Sequence, residues 1–265
     1  MSENSIHITN RLSIFILQDG FSFLLTDSVS APLIFEDFKL GSSQSTTELL
    51  KLLKTHITPV FFETHKIENL EVIYGNPQFS IVPQAYFKES HLPHYIKYSS
   101  KLIEGDDFSF DQMLSVQANT VYIPYVNINN YLFELFGSFK FTHLFSGLIE
   151  KAFKKSYSSN EYVKIHVSRQ LIYFTAFRNQ KLILTNAFSF ETPEDFAYYI
   201  LFTVEELNLN REEVIIEFTG SFLNTDENSA LAILSTYLRH ILFSNGHVSS
   251  EFHYKEGFQE HFNLL

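Results

Sequence analysis

The chain has 265 residues, 45% of them hydrophobic, enough for one large core or two modest ones. Its formal net charge of −11 at pH 7 argues against a nucleic-acid backbone or an anionic membrane surface as partner, because both are gripped by Lys and Arg. The absence of cysteine excludes disulfides, thiolate metal sites and cysteine nucleophiles.

The opening run MSENSIHITN has neither a basic nor an apolar signal region, and no apolar run approaches the ~20 residues that span a bilayer. A soluble, cytoplasmic protein is expected. Three strands come first, at about Leu12–Leu17, Phe21–Thr26 and Pro32–Phe38, with Asp19-Gly20 as a tight turn between the first two. A helix follows, with Ser45 and Glu48 spaced as a capping box and Leu49, Leu52 and Leu53 on its apolar face. Strands are expected at Asn69–Tyr74 and Phe79–Val82, separated by the turn Gly75-Asn76-Pro77. The region near 83–119 is less regular and reads as an insertion. It holds a short helix around Glu89–Tyr98, an acidic loop at Glu104–Asp107 and a strand around Gln112–Val116. A strand at Thr120–Tyr125 and helices at Asn130–Phe136 and Gly147–Tyr157 close the first half. Lys151, Lys154 and Lys155 on the last of these read as a solvated face.

A second strand meander, VKIHVSRQLIYFTAFRNQKLILTNAFSF, begins at Val163, 151 residues after the first (163 minus 12). One duplication is indicated rather than a solenoid. The halves are drawn as 1–157, with the insertion, and 158–265. The second meander leads into a helix that Thr192 caps, with Pro193 at its first position and Glu194 and Asp195 in its first turn. Tyr198 and Tyr199 read as packing residues on it, with an exposed patch of Glu194, Asp195 and Tyr198 as the other possibility. A strand at Val214–Phe218 and a last helix at Ser229–Phe243 complete the chain, and His253 and His261 are expected in a polar, solvated tail.

Three strands, a helix, a strand and a helix make the ribonuclease-H-like unit. Two in tandem resemble the actin-like ATPase architecture of sugar kinases and of the pilus-assembly protein PilM. The fold expected is therefore α/β, two ribonuclease-H-like halves in actin-like arrangement, with mixed sheets flanked by helices. Four runs carry a closer resemblance: LSIFILQDGFSFLL, IVPQAYF, NAFSFETPEDFAYYILF and the aromatic-histidine segment around Phe258, His261 and Phe262. They are similar to an uncharacterised bacterial family of unknown function with an actin-like ATPase fold. That resemblance implies the fold and no activity.

An actin-like ATPase holds Mg²⁺ and phosphate with Asp and Gly in its hairpins, because phosphate needs close backbone N–H approach and the metal needs carboxylate oxygen. Here the first strand ends in Ile14-Phe15-Ile16-Leu17, and the second hairpin turn is Ser168-Arg169-Gln170. The surviving cofactor-binding candidates are Asp19 and Gly20 in the first turn and Thr219, Gly220 and Ser221 after a late strand. They matter only if a nucleotide, ATP with magnesium, is bound, and on that reading Gly220→Val removes the nucleotide effect and leaves the fold intact. Nuclease carboxylates are missing from Ile14–Ile16 and Ile165–Val167, and Glu217 has no partner legible in the sequence. His91 and His94 lack a third ligand and read as surface residues, so no metal site and no catalytic residue is assigned. The reading that follows is a catalytically inactive scaffold or adaptor that binds another protein, without nucleic acid or membrane insertion and without a cofactor. A nucleotide-binding switch and a homo-oligomer are the alternatives.

Overall fold

The computed structural model describes residues 9–41, 45–98, 100, 102–103, 105–221, 228–244 and 255–265. Glu104 of the expected acidic loop and His253 lie outside them. The described residues fall into two compact units. The first comprises 1–79, 92–109 and 122–143, and the second 80–91, 110–121 and 144–265.

In the first unit β1 (Asn10–Leu17), β2 (Gly20–Thr26) and β3 (Pro32–Lys39) form the meander. Residues alternate across a strand. Leu12, Ile14 and Ile16 therefore enter one core with Phe21, Phe23 and Leu25, while Ser13, Phe15 and Leu17 face the other side. Helix α1 (Thr46–His56) starts at Ser45, whose Oγ accepts from Glu48 N at 3.2 Å. Helix α2 (Pro59–His65) was not anticipated, yet Thr58 caps it and Pro59 occupies its first turn. Both cover the core with α4 (Val126–Phe136). Strands β4 (Ile67–Tyr74) and β8 (Lys140–His143) complete a sheet of order β3-β2-β1-β4-β8, with β1, β4 and β8 parallel.

The second unit repeats this order. Strands β9 (Glu161–Ser168), β10 (Leu171–Arg178), β11 (Lys181–Ser189), β12 (Ile215–Gly220) and β13 (His240–Phe243) form a sheet β11-β10-β9-β12-β13. Helices α6 (Pro193–Glu206) and α7 (Asn228–Tyr237) cover its apolar face. The capping box of α6 is complete. Thr192 Oγ1 accepts from Asp195 N, and Asp195 accepts from Thr192 N, both at 3.1 Å. The single helix expected over Ser229–Phe243 is instead α7 followed by β13. The four-residue strand forms because β12 offers a free parallel edge, extended by Ser244 N donating to Phe218 O at 2.9 Å.

Helix α5 (Leu144–Lys155), expected in the first half, groups by its contacts with the second unit. Its apolar side, Leu144, Phe145, Leu148, Ile149 and Ala152, is buried, and Phe145 meets Tyr173 of β10 edge-on at 5.5 Å. A three-stranded sheet of order β5-β7-β6, made by β5 (Phe79–Pro83), β7 (Ala118–Tyr122) and β6 (Ser109–Met113), has only β6 wholly within the expected insertion. Its short helix, α3, is Leu92–Ile96 after a 3₁₀ turn at Glu89–His91, and His91 and His94 are exposed there. Helix α8 (Phe258–Phe262) lies among the final described residues.

Candidate functional site

In open α/β sheets, ligands bind beyond the carboxyl ends of the parallel strands. In the first unit this edge holds Asp19, Gly20, Gly75, Asn76, Tyr125 and His143. Asp19 is half-buried in the β1–β2 turn, where its carbonyl accepts from Leu40 N. Burial raises the Tyr125 hydroxyl pKa, and the nearby Asp19 charge raises it further. Asn76 is buried and fully engaged: Nδ2 donates to Ile123 O, Oδ1 accepts from Gln78 N, and its carbonyl meets His143 Nε2 at 3.0 Å. Burial lowers the His143 pKa to about 4, so the ring is neutral. Gly75 follows β4, and a Cβ there would lie 2.7 Å from Leu17 Cδ2 and 2.9 Å from Phe15 Cε2. The apolar side chains that end β1 thus occupy the space beside this glycine.

The matching edge of the second unit holds Thr219, Gly220 and Ser221. Gly220 has φ +93°, and a Cβ would meet Val167 O at 2.0 Å. Thr219 Oγ1 donates to Ile165 O and Ser221 Oγ to Val167 O, each at 3.4 Å. The three residues fasten the end of β12 to β9. Arg169, in the preceding turn, adopts φ 53°. Asp19-Gly20 and Thr219–Ser221 belong to different units.

A polar layer that the sequence reading missed covers the other face of the second sheet. Alternation along β9 places Lys164, His166 and Ser168 on that face, and the register of β12 brings Glu217 and Thr219 beside them. Glu217 is the hub. It accepts from Lys155 Nζ at 2.6 Å, Lys164 Nζ at 2.9 Å and the Tyr162 hydroxyl at 2.6 Å. Burial opposes its charge, but the hydrogen bonds from Lys155 and Tyr162 and the Lys164 charge outweigh it and hold the pKa at about 2. Burial lowers the Lys164 pKa, against the pull of Glu217. Lys151 donates to Asn263 O at 2.9 Å, so two of the three lysines expected on a solvated face are tied into the fold.

Helix α8 lies over β9 and β12. Its Glu260 accepts from Ser168 Oγ at 2.5 Å. His261, expected in a solvated tail, is fully buried, and burial lowers its pKa to about 3. Phe258 explains the reversal, because it is itself fully buried and carries its neighbours inward. His166 is also held neutral, at about 3, first by burial and then by Lys164 and Lys151. Its Nδ1 is 3.3 Å from Thr219 Oγ1, and its Nε2 has no hydrogen-bond partner among the described residues.

Two sheets of one order, each with its middle strand paired antiparallel on one side and parallel on the other, make a duplicated ribonuclease-H-like unit. Residues 2–241 match the family described as protein of unknown function (DUF3822). The chain belongs to that family. No curated protein matches it. Its fold is that of a solved protein of unknown function with an actin-like ATPase fold from Bacteroides thetaiotaomicron. That protein is 20% identical, with 92% of this chain and 94% of that one covered and a TM-score of 0.77. Weaker similarity reaches a PilM–PilN type IV pilus biogenesis complex, at 12% identity, 89% and 88% coverage and a TM-score of 0.48. The ethanolamine utilization protein EutJ of Carboxydothermus hydrogenoformans stands at 6%, 91% and 86%, and 0.47. The Bacteroides match alone shows that this DUF3822 protein has the actin-like ATPase fold. Among its described residues no helix is long and apolar enough to cross a membrane, and no three His, Asp or Glu side chains converge as metal ligands.

Proposed function

We propose that this DUF3822 protein is a nucleotide-independent scaffold that binds another protein on an actin-like ATPase fold. One observation carries the reading: the chain itself fills the places beside both strand-end glycines. Phe15 and Leu17 crowd Gly75, and the Val167 carbonyl crowds Gly220. Phosphate requires backbone N–H groups that point into open space. Gly75 N instead donates to Ile16 O at 2.8 Å, and Gly220 lies against a carbonyl oxygen that would repel an anion. These residues fit a phosphate poorly.

A nucleotide-responsive switch has one observation in its favour, the half-buried Asp19 at the carboxyl edge of the first sheet beside Tyr125. Affinity capture separates the two readings. Proteins retained by the tagged chain are expected to remain after apyrase and a magnesium chelator have removed nucleotide. Their release on that treatment would contradict the scaffold and favour the switch.

A further inference from the structure

Helix α6 buries Phe196, Ala197, Ile200, Thr203 and Val204 in the second core. Residues four apart share a helix face. On its outer side this puts Glu194, Tyr198, Phe202 and Glu206 in one row, all exposed. Tyr198 is 58% and Phe202 47% exposed, and their rings stack at 5.6 Å with 19° between planes. Packing therefore accounts for Tyr199, which stacks on Phe188 at 5.2 Å, and not for Tyr198. Between Phe190 and Asn210 the chain carries Glu191, Glu194, Asp195, Glu205 and Glu206, with no Lys, Arg or His. The next cation, Arg211, is bound to Glu205 at 2.8 Å.

We infer that the Tyr198–Phe202 pair, bracketed by Glu194 and Glu206, is a docking surface for a basic segment of another protein. This deepens the scaffold reading and rests on it. Stacked rings left in water attract apolar groups and cations, and a guanidinium supplies both properties in one side chain. The acids at each end set Lys or Arg on either side of that anchor, and the net charge of −11 draws such a segment in from a distance. A second copy of the chain fits badly. An antiparallel pairing of two α6 rows sets Glu194 of one against Glu206 of the other, and a parallel pairing sets each acid against itself.

Short random peptides displayed on phage and selected on the full chain test the surface. Recovered peptides are synthesised with a fluorophore and titrated with wild type, Tyr198→Ser/Phe202→Ser and Glu194→Lys/Glu206→Lys proteins. All four side chains are exposed, so circular dichroism melts are expected to show a folded protein in each case, with midpoints lowered by a few degrees at most through Glu194 at the helix start and the trimmed rings. The expected peptides place Lys or Arg around an apolar or arginine anchor and bind each double variant at least about tenfold more weakly. Added salt is expected to weaken wild-type binding. Peptides without basic residues, or equal affinity for all three proteins, would overturn the surface while leaving a protein-binding role elsewhere on the chain intact. A selection without binders would also overturn it, and the nucleotide-free capture then judges the scaffold separately. Self-association of wild type that the aromatic variant abolishes would assign the face to a second copy and overturn the basic-partner assignment.

Discussion

Replacing Gly220 by valine is expected to destabilise the protein by more than about 3 kcal/mol, and the variant to accumulate poorly or melt far below wild type. Two costs combine. A φ of +93° is one that a β-branched residue rarely adopts, and a Cβ would stand 2.0 Å from the Val167 carbonyl oxygen. That oxygen belongs to backbone in the middle strand of the sheet and has little freedom to retreat. Two controls separate the costs. Gly137 has φ +85° and ψ −141° with nothing within 4 Å of a Cβ, so Gly137→Ala is expected to cost about 1–3 kcal/mol for conformation alone. Gly41 has an open surround and no positive φ, so Gly41→Ala is expected to change stability by less than about 0.5 kcal/mol. Urea unfolding of the series checks the order. A Gly220→Val protein as stable as wild type would contradict the close approach of β12 to β9. This also corrects the expectation that Gly220→Val probes nucleotide binding in an intact fold, because a response lost in that variant would report lost structure.

Glu217→Leu is expected to cost about 3–5 kcal/mol, the scale for removing one partner of a buried ion pair. The Lys164 side chain is only 6% exposed and would be left without its carboxylate. Adding Lys164→Met is expected to restore only part of the loss, since the stranded ammonium is removed but the buried Tyr162 hydroxyl still lacks its acceptor. Glu71 occupies the same register position in the first sheet, opposite Ser13 as Glu217 is opposite Lys164. Its partners Arg11 and Lys140 are 46% and 72% exposed, so Glu71→Gln is expected to cost about 1 kcal/mol or less. A single Glu217→Leu variant that unfolds like wild type would show that the network is not a buried one.

Acid tests the same layer with a definite sign. The folded pKa of Glu217, about 2, lies below its ordinary 4.5, so its contribution is complete above about 4.5 and lost as pH falls toward about 2. The buried histidines act over an earlier window. His143 at about 4, and His166 and His261 at about 3, stay neutral in the fold, whereas the unfolded chain protonates them below about 6.5. Stability is therefore expected to fall from about pH 6.5 downward, and more steeply below about 4.5. Glu217→Leu should remove the steepening in the lower window and leave the upper slope. A flat stability profile between pH 7 and 5 would contradict neutral, buried histidines.

Local signals in the sequence carried much of the fold. The Asp19-Gly20 turn, the second strand meander from Val163 and the Thr192-Pro193 start of α6 each depend on neighbours a few residues away, and each element forms as expected. The same Thr-Pro signal at Thr58-Pro59 starts α2. Strand β13 was not legible, because four apolar-rich residues after a helix suit either state until β12 offers an edge. The polar layer was legible only in part. Lys164, His166 and Ser168 alternate with Val163, Ile165 and Val167, a period-2 polar stripe present in the sequence itself. What joins that stripe to Glu217, Lys155 and Glu260 is pairing over 53 to 92 residues of sequence, which no local pattern encodes. The candidate residues fared similarly. Gly220 was singled out for a turn, and its glycine identity is required by the Val167 carbonyl, a neighbour 53 positions away (220 minus 167).

A scaffold that binds its partner without nucleotide gains no stability from one. Thermal unfolding of the purified protein with and without millimolar ATP, ADP or GTP and Mg²⁺ tests it most directly. A nucleotide present at ~100-fold its dissociation constant would stabilise the native state by ~2.7 kcal/mol and raise the melting temperature by several degrees. Coincident melts are expected with every nucleotide. A reproducible upward shift with one of them would contradict the scaffold and return Asp19 and the first strand edge to the centre of the protein's function.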